Sequence, residues 1–111
     1  MTALDALRIV TEQVDAFNAH DLDGFVATYA EDAIVTGVGE AALTGREEIR
    51  TFYADRLAYP GLHCTIDAHA LFGDRWVVAR EQVVRDGVAT ETIATFDVRD
   101  GLIRRASMVK A

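Results

Sequence analysis

Residues 75–98 read RWVVAREQVVRDGVATETIATFDV, and the Asp86-Gly87 pair inside them decides the fold. Asp-Gly favours a type I′ hairpin turn, because both turn residues need positive φ. A two-residue loop there sets Arg85 opposite Val88 and, counting back along both strands, Glu81 opposite Thr92. Gly73-Asp74 reads as a similar, weaker turn that sets Phe72 opposite Arg75 and Ile66 opposite Glu81. Side chains alternate across a strand, so these registers sort every residue onto a face. One face gathers Cys64, Ile66, Ala68, Ala70 and Phe72 with the alternate apolar residues Val77 to Val83 and Val88 to Val98. Glu81 is the only charge among them. The opposite face carries His63, Asp67, His69, Arg80, Gln82, Glu91 and Asp97, together with Leu71, Trp76 and Ile93.

Working outward, Thr2 begins a helix with Asp5 three residues on, a capping-box variant. Leu4, Leu7, Val10, Val14 and Phe17 fall on one helical arc, with Gln13 at its edge. That helix ends near Asn18-Ala19-His20, and Asp21 caps a short second helix over Leu22–Tyr29. Ala33–Val38 reads as a strand. Thr44 with Glu47 forms a capping box for a third helix, which carries Ile49, Phe52, Tyr53 and Leu57 on one side. Pro60-Gly61 reverses the chain before three long strands, and Asp100-Gly101 turns into a last strand over Leu102–Val109. An apolar sheet face needs cover, and the helices are the available cover. The expected class is therefore α+β: a cone-shaped, strongly curved, mainly antiparallel sheet packed on three N-terminal helices. Such a cone leaves an open end suited to a small-molecule pocket.

The 111 residues make a single domain, 1–111, and half of them are hydrophobic, enough for one core. No stretch approaches the roughly 20 apolar residues of a membrane span, and no secretory signal is read at the N-terminus. The lone Cys64 forms no internal disulfide and fits a cytoplasmic setting. A net charge of −7 argues against nucleic acid as a partner. No cluster of His, Cys and carboxylates has ligand spacing, so neither a metal nor a cofactor is expected.

Phe17-Asn18-Ala19-His20-Asp21-Leu22-Asp23-Gly24, Tyr29-Ala30-Glu31-Asp32-Ala33, Thr44-Gly45-Arg46-Glu47-Glu48-Ile49 with Phe52-Tyr53, and Asp100-Gly101-Leu102-Ile103 together carry a family resemblance. The chain resembles the nuclear-transport-factor-2-like superfamily, in its SnoaL-like and ketosteroid-isomerase-like branch. The resemblance implies a pocket between sheet and helices and a homodimer packed through the outer sheet face. It also implies where isomerase chemistry would sit: an oxyanion tyrosine at Gln13, a base at Gly37 and a second acid at Ala94. All three groups are absent and only the supporting Tyr53 remains, so ketosteroid isomerase activity by that arrangement is rejected.

Glu81 is the expected general acid/base, because a carboxylate in apolar surroundings has its charged form disfavoured and titrates closer to neutrality. Tyr53 and Gln13 reach the same cavity as donors, and Phe17, Tyr29, Thr92, Ala94, Phe96 and Met108 complete the expected lining. The set suits an isomerase, cyclase or dehydratase acting without a cofactor. The alternatives are a binding module for a small hydrophobic ligand, or an association module filled by its own side chains. The structural reading of Glu81 pairs it with Thr92, Tyr53 or Gln13, or lets it reach an end of the cone and water. Cys64 reads as inert packing. Arg80-x-Gln82 echoes the Arg-x-Asp of limonene-epoxide-hydrolase-like relatives, but the register turns Arg80 outward to pair with Asp67. Trp76, Arg80, His69 and Ile93 mark the expected dimer face. In the last hairpin, a plain two-residue turn faces Arg105 inward. A bulge or longer loop instead faces Ala106 and Met108 inward, and their match to Ala94 and Phe96 favours this.

Overall fold

The computed structural model describes residues 1–111 in the order α1 (Ala3–Asn18), α2 (Leu22–Ala27), β1 (Tyr29–Thr36), β2 (Leu43–Thr44), α3 (Gly45–Arg56), β3 (His63–Phe72), β4 (Trp76–Arg85), β5 (Val88–Arg99) and β6 (Leu102–Lys110). Both Asp-Gly turns form with positive φ at each residue, 51° and 75° at Asp86-Gly87 and 54° and 76° at Asp100-Gly101. The strands make one sheet in the order β2-β1-β6-β5-β4-β3. All neighbours are antiparallel except β1 and β6, which run parallel. The class is α+β, with three helices on one six-stranded mixed sheet. No helix is long and apolar enough to cross a membrane.

The helices start where their caps dictate. Thr2 and Asp5 exchange side-chain-to-backbone hydrogen bonds, with Thr2 N–H to Asp5 at 2.8 Å and Asp5 N–H to the Thr2 hydroxyl at 3.2 Å. Asp21 accepts from Gly24 N–H and starts α2. Helix α1 buries Ala6, Ile9, Val10, Gln13 and Val14, whereas Leu4 is 70% exposed. The arc is thus rotated from the expected one, and Gln13 sits inside it rather than at its edge.

Three expectations about element ends are corrected. Helix α2 stops at Ala27, because the Thr28 hydroxyl donates to the Phe25 carbonyl and Ile103 N–H takes the Thr28 carbonyl. Tyr29 therefore opens β1 instead of closing a helix. The capping box at Thr44 does not form: Thr44 pairs with Ile34 in the unforeseen strand β2, and its N–H donates to Glu48 rather than engaging Glu47.

The β4–β5 register is the expected one along its whole length, from Arg85 opposite Val88 to Trp76 opposite Asp97. The β3–β4 turn holds three residues, not two, so Phe72 faces Trp76. Ala68, Ala70 and Phe72 consequently lie on the outer face, and His69 and Leu71 on the inner one, reversing the expected assignment. A bulge between Ile66 and Ala68 then absorbs the extra residue and restores Ile66 opposite Glu81. In the last hairpin a two-residue turn is followed by a bulge, so Ala106 and Met108 share the inner face with Phe96 and Ala94, and Arg105 is turned out and exposed.

The core joins α1, α2, α3 and the concave face of the sheet. Phe25 is its centre, with ring centroids 4.5 Å from Tyr53, 5.5 Å from Tyr29 and 6.1 Å from Phe17. Where β1 leaves β6, Gly37 has a φ of 84°, and a Cβ built there would lie 1.8 Å from the Met108 carbonyl oxygen. Gly37→Ala is expected to lower stability by at least about 2 kcal/mol, from left-handed strain and backbone displacement. Urea unfolding measures this; an unchanged midpoint would show that β1 and β6 do not approach so closely.

Candidate active site

The concave face of the sheet and the helices enclose a cavity of ≈ 300 Å³, at the small end of ligand pockets. Gln13 and Phe17 reach it from α1, Phe25 from α2, Tyr53 and Arg56 from α3. Cys64, Glu81, Thr92 and Met108 reach it from the sheet, where direct pairing aligns Glu81 with Thr92 and Thr92 with Lys110. Arg85, Thr90 and Lys110 lie at the end where β4 and β6 finish and β5 begins, which is the mouth.

Glu81 is 5% exposed and has no basic partner. Burial raises its carboxyl to about 7, against a smaller lowering by the neighbouring Cys64 thiol. Its Oε2 and the Thr92 Oγ1 are both buried without a hydrogen-bond partner in the protein. Burial also raises the Tyr53 phenol well above the ordinary tyrosine range, outweighing a lowering by the Arg56 charge, and the Glu81 charge adds a smaller rise, so Tyr53 stays a proton donor at neutral pH. Cys64 is likewise pushed up, by burial first and then by Glu81, so it persists as a thiol. Gln13 donates from Nε2 to the Tyr29 hydroxyl at 3.0 Å. An amide nitrogen carries two protons, so one remains for a ligand.

Of the residues read from the sequence, Glu81, Tyr53, Gln13, Phe17, Thr92 and Met108 meet at this cavity. Tyr29, Ala94 and Phe96 do not: each is wholly buried in the core behind the wall. Glu81 does not satisfy itself with Thr92, Tyr53 or Gln13, and Cys64 lines the same cavity. Arg56, Arg85 and Lys110 were not foreseen. The only signal for them was position at element ends, since their approach depends on how three strands and a helix converge. Arg80 is outside, 3.4 Å from Glu91 and 3.8 Å from Asp67. No three His, Cys, Asp or Glu side chains gather as metal ligands.

Two residues of the phrase Phe17–Gly24 have structural explanations. Asn18 receives Cys64 N–H at 2.7 Å and donates to the Cys64 carbonyl at 2.9 Å, docking α1 on β3. His20 Nδ1 lies 2.6 Å from the Leu57 carbonyl at the end of α3, so that nitrogen carries the proton.

An α+β cone with an acid-bearing apolar cavity is the class these features define. Residues 10–106 match the SnoaL-like domain model, and the chain belongs to that family. Its fold is shared by a cystatin-fold protein from Novosphingobium aromaticivorans, at 24% identity, with 98% of each chain covered and a TM-score of 0.82. It is also shared by a protein from Kribbella flavida proposed to be a ketosteroid isomerase (19% identity, 96% of this chain and 78% of that one, TM-score 0.81). An LEH-like epoxide hydrolase of M. tuberculosis matches similarly (19% identity, 97% and 84% covered, TM-score 0.81). These likenesses establish the NTF2-like fold; the neighbours include isomerase and epoxide-hydrolase-like proteins.

A carboxyl raised from an ordinary 4.5 to about 7 makes stability depend on pH. Below about 4.5 both states are protonated and the group imposes no penalty. As pH rises towards 7 the unfolded chain releases its proton while the folded one keeps it, so stability falls, by roughly 3 kcal/mol in total. Glu81→Gln is expected to remove that fall. Urea unfolding of both proteins between pH 4 and 8 measures it, and parallel curves would show Glu81 ionising normally.

Proposed function

We propose that this protein is a cofactor-independent acid–base catalyst acting on a small carbonyl compound, as an isomerase, cyclase or dehydratase, with Glu81 moving the proton. The observation that carries the reading is Glu81 itself: buried, without a cation, raised to about 7, and with Oε2 unpartnered beside the cavity. Buried carboxylates that serve structure are normally bonded out; one poised near working pH in a cavity is suited to proton transfer.

In the ionised form Glu81 takes a proton from the carbon next to the substrate carbonyl. The electron pair moves onto the carbonyl oxygen, where Tyr53 and the free Gln13 N–H are the available donors. The neutral Glu81 then returns the proton, to a different carbon in isomerisation or to a departing hydroxyl in dehydration. The dyad of a tyrosine and a protonated aspartic acid has its counterpart here in a phenol and an amide. Glu81→Gln is expected to lower kcat by at least about 10²-fold with KM little changed. A variant retaining full turnover would remove Glu81 from the chemistry.

The second reading, a binding module for a small hydrophobic ligand, is favoured by the wall, in which 9 of 17 residues are hydrophobic. Ligand-induced rises in Tm that survive Glu81→Gln, with no turnover in the native protein, would select it.

A second copy of the chain is the proposed partner at the outer sheet face. Phe72 is 57% exposed, Val109 61%, and Trp76 and Ile93 36% each, an apolar patch on one face. Arg80 lies beside it, tied to Asp67 and Glu91. His69 belongs to the other face and Phe72 takes its place in this surface. Trp76→Glu is expected to give monomers in sedimentation experiments; an unaltered assembly would place the interface elsewhere.

A further inference from the structure

The cavity mouth has a charge opposite to the rest of the chain. The protein has 11 Lys and Arg against 18 Asp and Glu. Six arginines, Arg8, Arg50, Arg75, Arg80, Arg99 and Arg104, are tied up in ion pairs with carboxylates. Of the five cations left, Arg46 is bonded to backbone carbonyls of Tyr29 and Ala27, and Arg105 lies on the outer face. The other three, Arg56, Arg85 and Lys110, all line the cavity, whose only acid is Glu81. Acids outnumber bases in this chain, so an unpaired cation is the exception, and three exceptions share one opening.

Two of the three are also held in place without being neutralised. The Arg56 guanidinium lies 4.4 Å from the Phe52 ring centroid and donates to the Val38 carbonyl at 3.1 Å. The Arg85 guanidinium lies 4.4 Å from the Tyr59 ring centroid. Stacking on a ring fixes the plane of a guanidinium and leaves its edge free for an anion. Lys110 stands in the same cross-strand row as Glu81, with Thr92 between them. Two strand spacings put their backbones about 10 Å apart. Deeper in, the unpartnered Glu81 Oε2 and Thr92 Oγ1 offer polar contacts, with Gln13 and Tyr53 facing the same cavity.

We infer that the cavity takes a small amphipathic carboxylate, with its apolar body against Phe17, Phe25 and Met108 and its carboxylate at the mouth on Arg56, Arg85 and Lys110. This rests on the reading of the cavity as a ligand site and names the chemical class of that ligand. The carboxylate is the end that enters last. The group presented to Glu81 and Thr92 lies towards the opposite end of the molecule, on the order of 10 Å away by the strand spacing. A dicarboxylate fits less well, because a second negative charge would sit against Glu81 in a dry wall.

The test uses matched acid and amide pairs of nearly equal shape: benzoate and benzamide, cinnamate and cinnamamide, cyclohexanecarboxylate and its amide. Binding is measured by calorimetry and thermal shift on the native chain, Arg85→Gln, Lys110→Gln and the double variant. Arg85 and Lys110 are exposed, so these variants keep the core, and circular dichroism checks that they do. At least one acid is expected to bind tenfold or more tightly than its amide. Each substitution is expected to weaken the acid about three- to tenfold, less at high salt, and leave the amide unchanged. Amides binding as well as acids, with Glu81→Gln altering their affinity, would overturn the carboxylate assignment and leave the cavity reading standing. Binding by neither member of any pair would overturn both. An acid preference unchanged in the double variant would overturn the role of the mouth.

Discussion

The amide of Asn18 holds the two layers of this fold together at the point where they part around the cavity. Strand β3 is the sheet's edge, with β4 on one side and no strand on the other. An edge residue presents a backbone N–H and C=O to whatever lies beside it. At Cys64 both groups are taken by the side chain of Asn18, one donated and one accepted, as a neighbouring strand would take them. The last residue of α1 is thereby fixed to the second residue of β3. Cys64 faces Val83, two residues along β3 from the Ile66 that faces Glu81, and lines the cavity together with the acid. The cavity wall beside the acid is therefore linked to the docking of the first helix through the Asn18 side chain.

The sequence made the row through Glu81 legible for two different reasons. The β4–β5 pairing follows from Asp86-Gly87, because a type I′ turn has no slack and the register propagates from it. The β3–β4 pairing came out right at Ile66 only because two irregularities cancel. The turn holds an extra residue on the β4 side, and a bulge at Asp67 takes up one on the β3 side. Between them the faces are exchanged, which is why His69, Leu71 and Phe72 were assigned to the wrong sides. A Gly-Asp pair does not distinguish a two- from a three-residue loop, and a bulge leaves no mark in an Ala-rich stretch such as Ala68-His69-Ala70. The parallel β1–β6 pairing was beyond reach for a further reason: it joins residues about seventy positions apart, with no turn between them to set a register. Tyr29 was taken for the end of a helix, and as lining, on that account.

Two buried acids show how the same fold treats charge in opposite ways. Asp97 is 1% exposed, but Arg75 grips it with two bonds of 2.8 and 2.9 Å and Arg99 adds one of 3.1 Å. Burial would raise it; those bonds outweigh burial and keep it below the ordinary aspartate range. Glu81, buried to a similar degree in a neighbouring strand, has no ion-pair partner, and burial prevails. The chain has arginines enough to neutralise a buried carboxylate and does so at Asp97. Arg56 and Arg85 line the same cavity as Glu81, yet they are held on aromatic rings and a backbone carbonyl rather than paired with it. An arrangement that only stabilised the fold would bring one of them to the acid.

The position of the acid follows from where the sheet leaves room. At Gly37, the position at which the family resemblance implies a base, the β6 backbone comes so near that no side chain fits without displacing Met108. Ala94, the position implied for a second acid, is sealed in the core with no exposed surface. Neither site can accept a carboxylate in this backbone without rebuilding the join between β1 and β6 or opening the core. Position 81 differs. It lies midway along β4, on the inner face, beside Thr92 and Cys64, where the helices stand away from the sheet and leave the cavity. A curved sheet covered by helices at one end has few such places: too near the closed end the core fills them, and too near the mouth water keeps a carboxylate ordinary. An acid in the middle of β4 is deep enough for burial to raise it and still lines the cavity, and that setting is what the proposed proton transfer rests on.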